Sequence, residues 1–314
     1  MGGWRGAARL TLAAALAAGL AGLAAVPPQA ATGRLLEKRE SLYNNIFVFR
    51  DRDTISMTFG HNKRYFTESL INLKDPGALS IEYARYMTLG LAYAANTGRI
   101  LEIGLGGGSI VTYLNRALPE STIVAVEIDK DVVDLARKYF QFQESDRLKA
   151  VVADGRAYLL RDDSKWDIVL LDAYRGPFVP FHLLTREFYT LVKSRLAPGG
   201  VVVQNIEPST MLFDSAIATM SSVFRSVDFY DGRENVVAVA HDGPAFRQAD
   251  LMTRAASVQT RYKLRYDLRR LVAERRVLRK PRGKVMTDDF APVETLRAIE
   301  QHNQKWKEQT EAPR

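Results

Sequence analysis

Leu101-Glu102-Ile103-Gly104-Leu105-Gly106-Gly107-Gly108-Ser109 is the stretch on which the fold of this chain turns. Arg99–Ile103 reads as a buried strand, and Ser109–Leu118 carries apolar residues at helical spacing. The glycines between them let the backbone turn tightly and bring bare N–H groups against a ligand. In an open α/β sheet such a loop lies at the carboxyl end of its strand, where ligands bind. A G-x-G alone is shared by several nucleotide-binding classes and does not choose among them.

The neighbouring acids narrow the choice. Glu127, with Ile128 next to it, follows the strand Thr122–Val126 about 20 residues beyond the glycines, where a carboxylate can take both hydroxyls of a ribose. Glu102 stands just before the first glycine, where it can hold an ammonium group and would repel a pyrophosphate. Asp154-Gly155 follows the third strand, Leu148–Val152, in reach of an adenine amino group. An adenosyl sulfonium therefore fits better than a dinucleotide. The plainer alternative is that these acids cap helices and turns.

Farther out, strands and helices alternate. Asp131–Phe140, Gly155–Leu160 and Thr185–Leu196 read as helices, Asp167–Leu171 and Val201–Asn205 as strands. This predicts a doubly wound, mostly parallel sheet with helices on both faces. Phe213–Phe224, Val227–Tyr230 and Val236–Ala240 close it as helix, strand and strand. Ahead of it, Ser80–Ala95 has helical spacing. Ser41–Arg50 and Thr54–Gly60, joined at Asp51-Arg52-Asp53, predict a small N-terminal β region. The expected divisions are a leader (1–31), the β region (32–78), the α/β domain (79–245) and a basic helical C-terminal extension (246–314).

Two segments carry unusual composition. Arg5 and Arg9 precede the uncharged run Leu10–Val26, which ends at Pro27-Pro28 and is expected to act as a signal peptide or signal-anchor. It implies a membrane-associated or exported protein, with the side of the membrane open. Arg247–Lys284 holds thirteen Lys and Arg against three acids, although the whole chain is only +8. Within it, Arg261–Arg279 is expected to form one amphipathic helix with Leu264, Leu268, Leu271 and Leu278 on one stripe. Packing on the domain is its simpler role, and contact with anionic lipid headgroups the sharper one. Nucleic acid is not expected, because no recognised binding module accompanies the charge. The chain has no cysteine, which excludes thiolate chemistry, and His61, His241 and His302 show no metal-ligand spacing, so no metal is expected.

"LEIGLGGGSIVTYL" (101–114), "VEIDKDVVDLARKYF" (126–140), "VVADGRAYLL" (151–160), "WDIVLLDAYRGPFVPFHLLTREFY" (166–189), "LAPGGVVVQNI" (196–206) and "TDDFAPVE" (287–294) together resemble the spermidine-synthase-like family. The resemblance implies a seven-stranded methyltransferase-type sheet and a transferase using S-adenosylmethionine or its decarboxylated form as co-substrate. It also implies roles. Gly104, Gly106 and Gly107 line the nucleoside with Gly155, Glu127 and Ile128 meet the ribose, and Asp154 the adenine. Asp172 faces the reacting centre and can take a proton from an attacking amine. Tyr83, Tyr174, Arg175 and His182 lie on the acceptor side.

The departures concern the acceptor. Aminopropyltransferases carry a second acid where Arg175 stands, and a Tyr-His-Glu group where this chain has Tyr83-Ala84-Arg85. A diamine needs carboxylates at its far end, so the expected acceptor is an amine other than ordinary putrescine unless Arg175 turns outward and another acid, such as Glu82, replaces it. Methyl transfer from S-adenosylmethionine is the alternative reaction, and an exported non-catalytic nucleoside or polyamine binder the alternative of another class. A homodimer is a further expectation.

Overall fold

The computed structural model describes residues 33–61, 64–176, 178–276 and 283–289. The expected leader and Leu278 lie outside them, as does the C-terminal end of the expected extension.

Asp51-Arg52-Asp53 turns the hairpin between Asn45–Asp51 and Thr54–His61 as its composition requires, with Arg52 at positive φ. The strands β1 (Arg34–Glu40), β2 (Asn45–Asp51), β3 (Thr54–His61) and β4 (Arg64–Asn72) form an antiparallel meander in chain order. Its apolar face, including Ile46, Val48, Met57 and Phe59, meets Val132 and Leu135 of α4 (Lys130–Tyr139) and Phe140 just after it. This contact fixes the small sheet above the glycine loop.

Ser80–Ala95, expected as one helix, is two: α1 (Glu82–Met87) and α2 (Gly90–Tyr93). The Thr88 hydroxyl donates to the Arg85 carbonyl at the break. Gly90 then brings α2 against the sheet, since a Cβ there would lie 2.9 Å from both Ile168 and Val203.

In the large sheet β5 (Arg99–Ile103) has two strands on one side and four on the other. One side continues to β6 (Thr122–Glu127) and β7 (Leu148–Val152), the other to β8 (Trp166–Leu171), β9 (Leu196–Ile206), β11 (Val236–His241) and β10 (Ser226–Asp231). Pairing is parallel from β7 to β9 and antiparallel at β11 and β10. β9 begins earlier than expected, because Leu196 pairs with Trp166 ahead of Pro198-Gly199-Gly200. Alternation along the strands builds two cores. Ile100, Ile168, Leu170 and Val203 face α1, α2 and α3 (Ser109–Ala117), whereas Leu101, Ile103, Val169 and Val202 face the other helices. Those helices are α5 (Gly155–Arg161), α6 (Arg186–Ser194) and α7 (Phe213–Val223), and the side chains of Asp154 and Thr185 cap the first two.

Arg261–Arg279 does not form one helix. α8 (Gln248–Tyr262) stops at Lys263, which is left-handed with φ 48°, and α9 (Leu268–Ala273) starts afresh with Asp267 as its cap. The Gln259 amide holds the bend, donating to the Leu264 carbonyl and accepting from the Leu268 N–H. Much of the basic charge is spent locally. Arg254 donates to the carbonyls of Ala92, Tyr93 and Ala94, and Arg275 reaches Asp228. Among the described residues no helix is long and apolar enough to cross a membrane.

Candidate active site

Chain order reverses direction beside β5, and there the ends of β5, β6 and β8 open a crevice. Gly104 leaves β5 at φ 95°, its N–H bound to the Val126 carbonyl, while the Asp172 N–H donates to the Ile103 carbonyl. A Cβ on Gly104 would lie 2.2 Å from the Asp172 carbonyl oxygen, so only glycine fits. Gly155 is tight as well, with Ile103 2.3 Å from where its Cβ would be.

Gly107, expected to line the nucleoside, has protein around it. It is buried, its N–H goes to the Ser69 hydroxyl at 2.7 Å, and a Cβ there would strike Phe140. The β4 hairpin has claimed this glycine for packing, leaving Gly104 and Gly106 as the partly exposed members of the loop.

Glu127 ends β6 with one oxygen accepting from the Leu105 N–H and the other from the Asp129 N–H, both at 3.0 Å. The carboxylate is thereby fixed in place with lone pairs to spare for two hydroxyls. Ile128 lies half-buried in the same turn. Glu102 is only 1 % exposed and its Oε2 has no hydrogen-bond partner. Burial, then the negative charges of Asp172 and Glu127, hold its carboxyl well above the ordinary range.

Asp172 follows β8 and is held from two sides. Tyr83 of α1 donates its hydroxyl to Oδ2 at 3.0 Å, and the Asn205 amide donates to Oδ1 at 2.9 Å. Asn205 accepts in turn from Asn235 at 2.8 Å, and the Tyr174 hydroxyl donates to its carbonyl at 3.0 Å. Burial pushes the Asp172 carboxyl up to about 6, partly offset by these two donors. Such a value suits a group that takes a proton near neutral pH.

The expected acceptor residues therefore divide. Tyr83 and Tyr174 surround Asp172. His182 does not join them: its Nε2 lies 2.9 Å from Asp154 Oδ2, at the end assigned to the adenine. Arg175 is exposed and its backbone pairs with Phe178. Ala84 is buried in the core, and Arg85 turns to the Leu79 carbonyl and the Tyr266 ring. Glu82 pairs with Arg233 at 2.7 Å. Among the described residues no cluster of His, Asp and Glu could hold a metal ion.

Sequence reading missed Glu68, Asn205 and Asn235. Glu68 lies on β4, with Oε1 enclosed and without a hydrogen-bond partner. Burial, then Asp172 and Glu127, raise its carboxyl well above the ordinary range. The available signal was an acid in the aromatic and β-branched stretch Tyr65–Ile71, and a Gln-Asn pair ending the apolar run of β9.

These buried acids imply a pH signature. A carboxyl raised by folding contributes stability that is complete below its unfolded value and is lost as pH rises through the folded value. Glu102→Gln removes that loss, so its Tm advantage over the wild-type apo protein is expected to widen between about pH 5 and pH 8 in scanning calorimetry. A constant difference across that range would mean Glu102 is not buried as described.

The spermine/spermidine synthase domain model matches residues 82–232. A polyamine aminopropyltransferase of Vibrio vulnificus is 37% identical over 202 residues, covering 63% of this chain and 67% of the relative. One from Chromobacterium violaceum is 32% identical over 197 residues, covering 62% and 74%. Among solved structures, human methyltransferase-like protein 13 in complex with SAH superposes with a TM-score of 0.53 at 26% identity, covering 64% of this chain and 96% of that one. The small antiparallel sheet, the seven-stranded sheet and the acid-lined crevice thus have a common explanation: the chain belongs to the spermine/spermidine synthase family of transferases, on a methyltransferase-like fold.

Proposed function

We propose that this protein transfers the aminopropyl group of decarboxylated S-adenosylmethionine to an amine bound beside Asp172. The observation that carries the reading is the charge of the crevice. Glu68, Glu102, Glu127 and Asp172 converge, two of their oxygens lack any partner, and the charges felt most strongly at Glu68 and Glu102 are those of other carboxylates. Such a site is stabilised by cations. The decarboxylated donor carries a sulfonium and an ammonium and no negative charge. S-adenosylmethionine adds a carboxylate, which costs about 3 kcal/mol at about 5 Å from one of these acids with an effective dielectric of about 20.

The chain's residues supply alignment and a proton acceptor. Glu127 holds the ribose diol, Asp154 the adenine amino group, and Gly104 and Gly106 admit the nucleoside to the main chain. Glu102 pairs with the donor's ammonium. The amine nitrogen attacks the propyl carbon next to sulfur, the C–N bond forms, and the C–S electron pair returns to sulfur as a neutral thioether. Asp172 takes the proton that the new secondary ammonium, or the incoming one, must shed. A sulfonium is already an activated leaving group, so positioning does most of the work.

The likeness to methyltransferase-like protein 13 favours one competitor, methyl transfer from S-adenosylmethionine through the same pocket. Titration calorimetry separates the two. The decarboxylated donor is expected to bind at least tenfold more tightly than S-adenosylmethionine, and equal or reversed affinities would favour methyl transfer.

A further inference from the structure

Beyond Asp172, the two further positions where the resemblance places an acid hold arginines: Arg85 is bonded to the Leu79 carbonyl and Arg175 is exposed. A diamine bound at Asp172 would leave its far ammonium without a counter-charge in a partly buried crevice, which is unfavourable.

The missing charge arrives from another element. The β4 strand crosses above the glycine loop, tied there by the bond between Ser69 and Gly107 and by Gly106, whose Cβ would lie 2.7 Å from the Ser69 hydroxyl and 3.8 Å from the Glu68 carbonyl. This register places the Glu68 carboxylate over the crevice, with Oε1 enclosed and unpartnered. Its surroundings separate it from Glu102. The charge of Glu68 is felt at Tyr83 and Tyr174, and Glu68 itself feels that of Asp172, whereas the charge of Glu102 is not prominent at either tyrosine. Glu68 therefore stands on the side of the crevice lined by Tyr83, Asp172 and Tyr174.

We infer that Glu68 is the second acid of the acceptor site, binding the distal ammonium of a diamine whose reacting nitrogen lies at Asp172. The inference rests on the aminopropyl-transfer reading for its assignment of sides. It revises the expectation drawn from Arg175: the acid has moved from the loop after β8 to the N-terminal sheet, and a diamine acceptor is restored. Specificity for the acceptor would then depend on how that sheet is seated on α4 and the glycine loop.

The test compares butane-1,4-diamine with butan-1-amine, which differ only in the distal ammonium, by titration calorimetry into the full chain. The wild type is expected to prefer the diamine, and Glu68→Gln, which keeps the side-chain shape, to reduce that preference at least tenfold. A smaller reduction, or a wild type that binds both amines equally, overturns the inference. The readout is binding rather than turnover, so a protein that bound the diamine through Glu68 but transferred no aminopropyl group would refute the proposed reaction and leave this assignment standing.

Discussion

Asp172→Asn is expected to lower kcat for aminopropyl transfer by about 10²–10⁴, the usual contribution of a positioned general base. The amide preserves shape, and its oxygen can still accept from Asn205 or Tyr83, so donor affinity should fall far less than turnover. The loss should be accompanied by a change in the pH profile. Wild-type Asp172, with its carboxyl pushed up to about 6, must be ionised to take the proton, so kcat/KM should rise with pH through that region. Cationic substrates bound beside it shift the rise to lower pH in the profile of kcat. In the variant this limb should vanish. A variant retaining kcat within tenfold of wild type, with the limb intact, would move the proton acceptor elsewhere.

Gly104→Ala is expected to be the most damaging single change to the nucleoside site. The residue combines φ 95° with a main-chain carbonyl 2.2 Å from the new Cβ, and neither β5 nor β8 can withdraw without breaking the sheet. Positive φ alone costs an alanine about 1–2 kcal/mol, and the backbone clash adds to it. A total of about 4 kcal/mol, a Tm lower by roughly 10 °C and loss of detectable donor binding are expected. Gly106→Ala supplies the contrast. It shares the positive φ, at 52°, but its Cβ would meet the tip of the Ser69 side chain rather than main chain, so the loss should be smaller. Equal losses from the two variants, measured by calorimetric unfolding and donor titration, would contradict the loop geometry.

What the sequence disclosed, and what it withheld, follows from how local each feature is. The strand, glycine turn, helix, second strand and acid from Arg99 to Asp129 are consecutive, so their spacing carries their geometry. Asp172 was readable because an apolar strand run ending in an acid points that acid out of the sheet. Glu68 was not, because its place depends on a sheet docked on α4 and a hairpin laid over a loop far downstream, Ser69 and the Gly107 it meets being 38 residues apart. The same docking explains the packing of Gly107: a run of glycines does not tell which member meets a neighbouring strand. Asn205 and Asn235 join Asp172 only through the pairing of β9 with β11. The single helix expected over Arg261–Arg279 overlooked a local signal, Asp267, which caps α9 and marks a new start.

Two expectations about the acceptor change meaning in the structure. Arg175 had argued against a diamine by its charge, yet it is exposed and its loop is closed by backbone pairing with Phe178. His182, considered for the acceptor side, pairs with Asp154 instead. Both shifts move the chemistry toward Tyr83, Asp172, Tyr174 and the acid that β4 supplies.

The most direct test is mass spectrometry of the products after the full chain is incubated with decarboxylated S-adenosylmethionine and butane-1,4-diamine. The diamine should gain one aminopropyl group, with an equal amount of methylthioadenosine released, and S-adenosylmethionine in place of the decarboxylated donor should give no modified amine. A methyl group transferred from S-adenosylmethionine, or an unchanged diamine beside intact decarboxylated donor, would contradict the assignment.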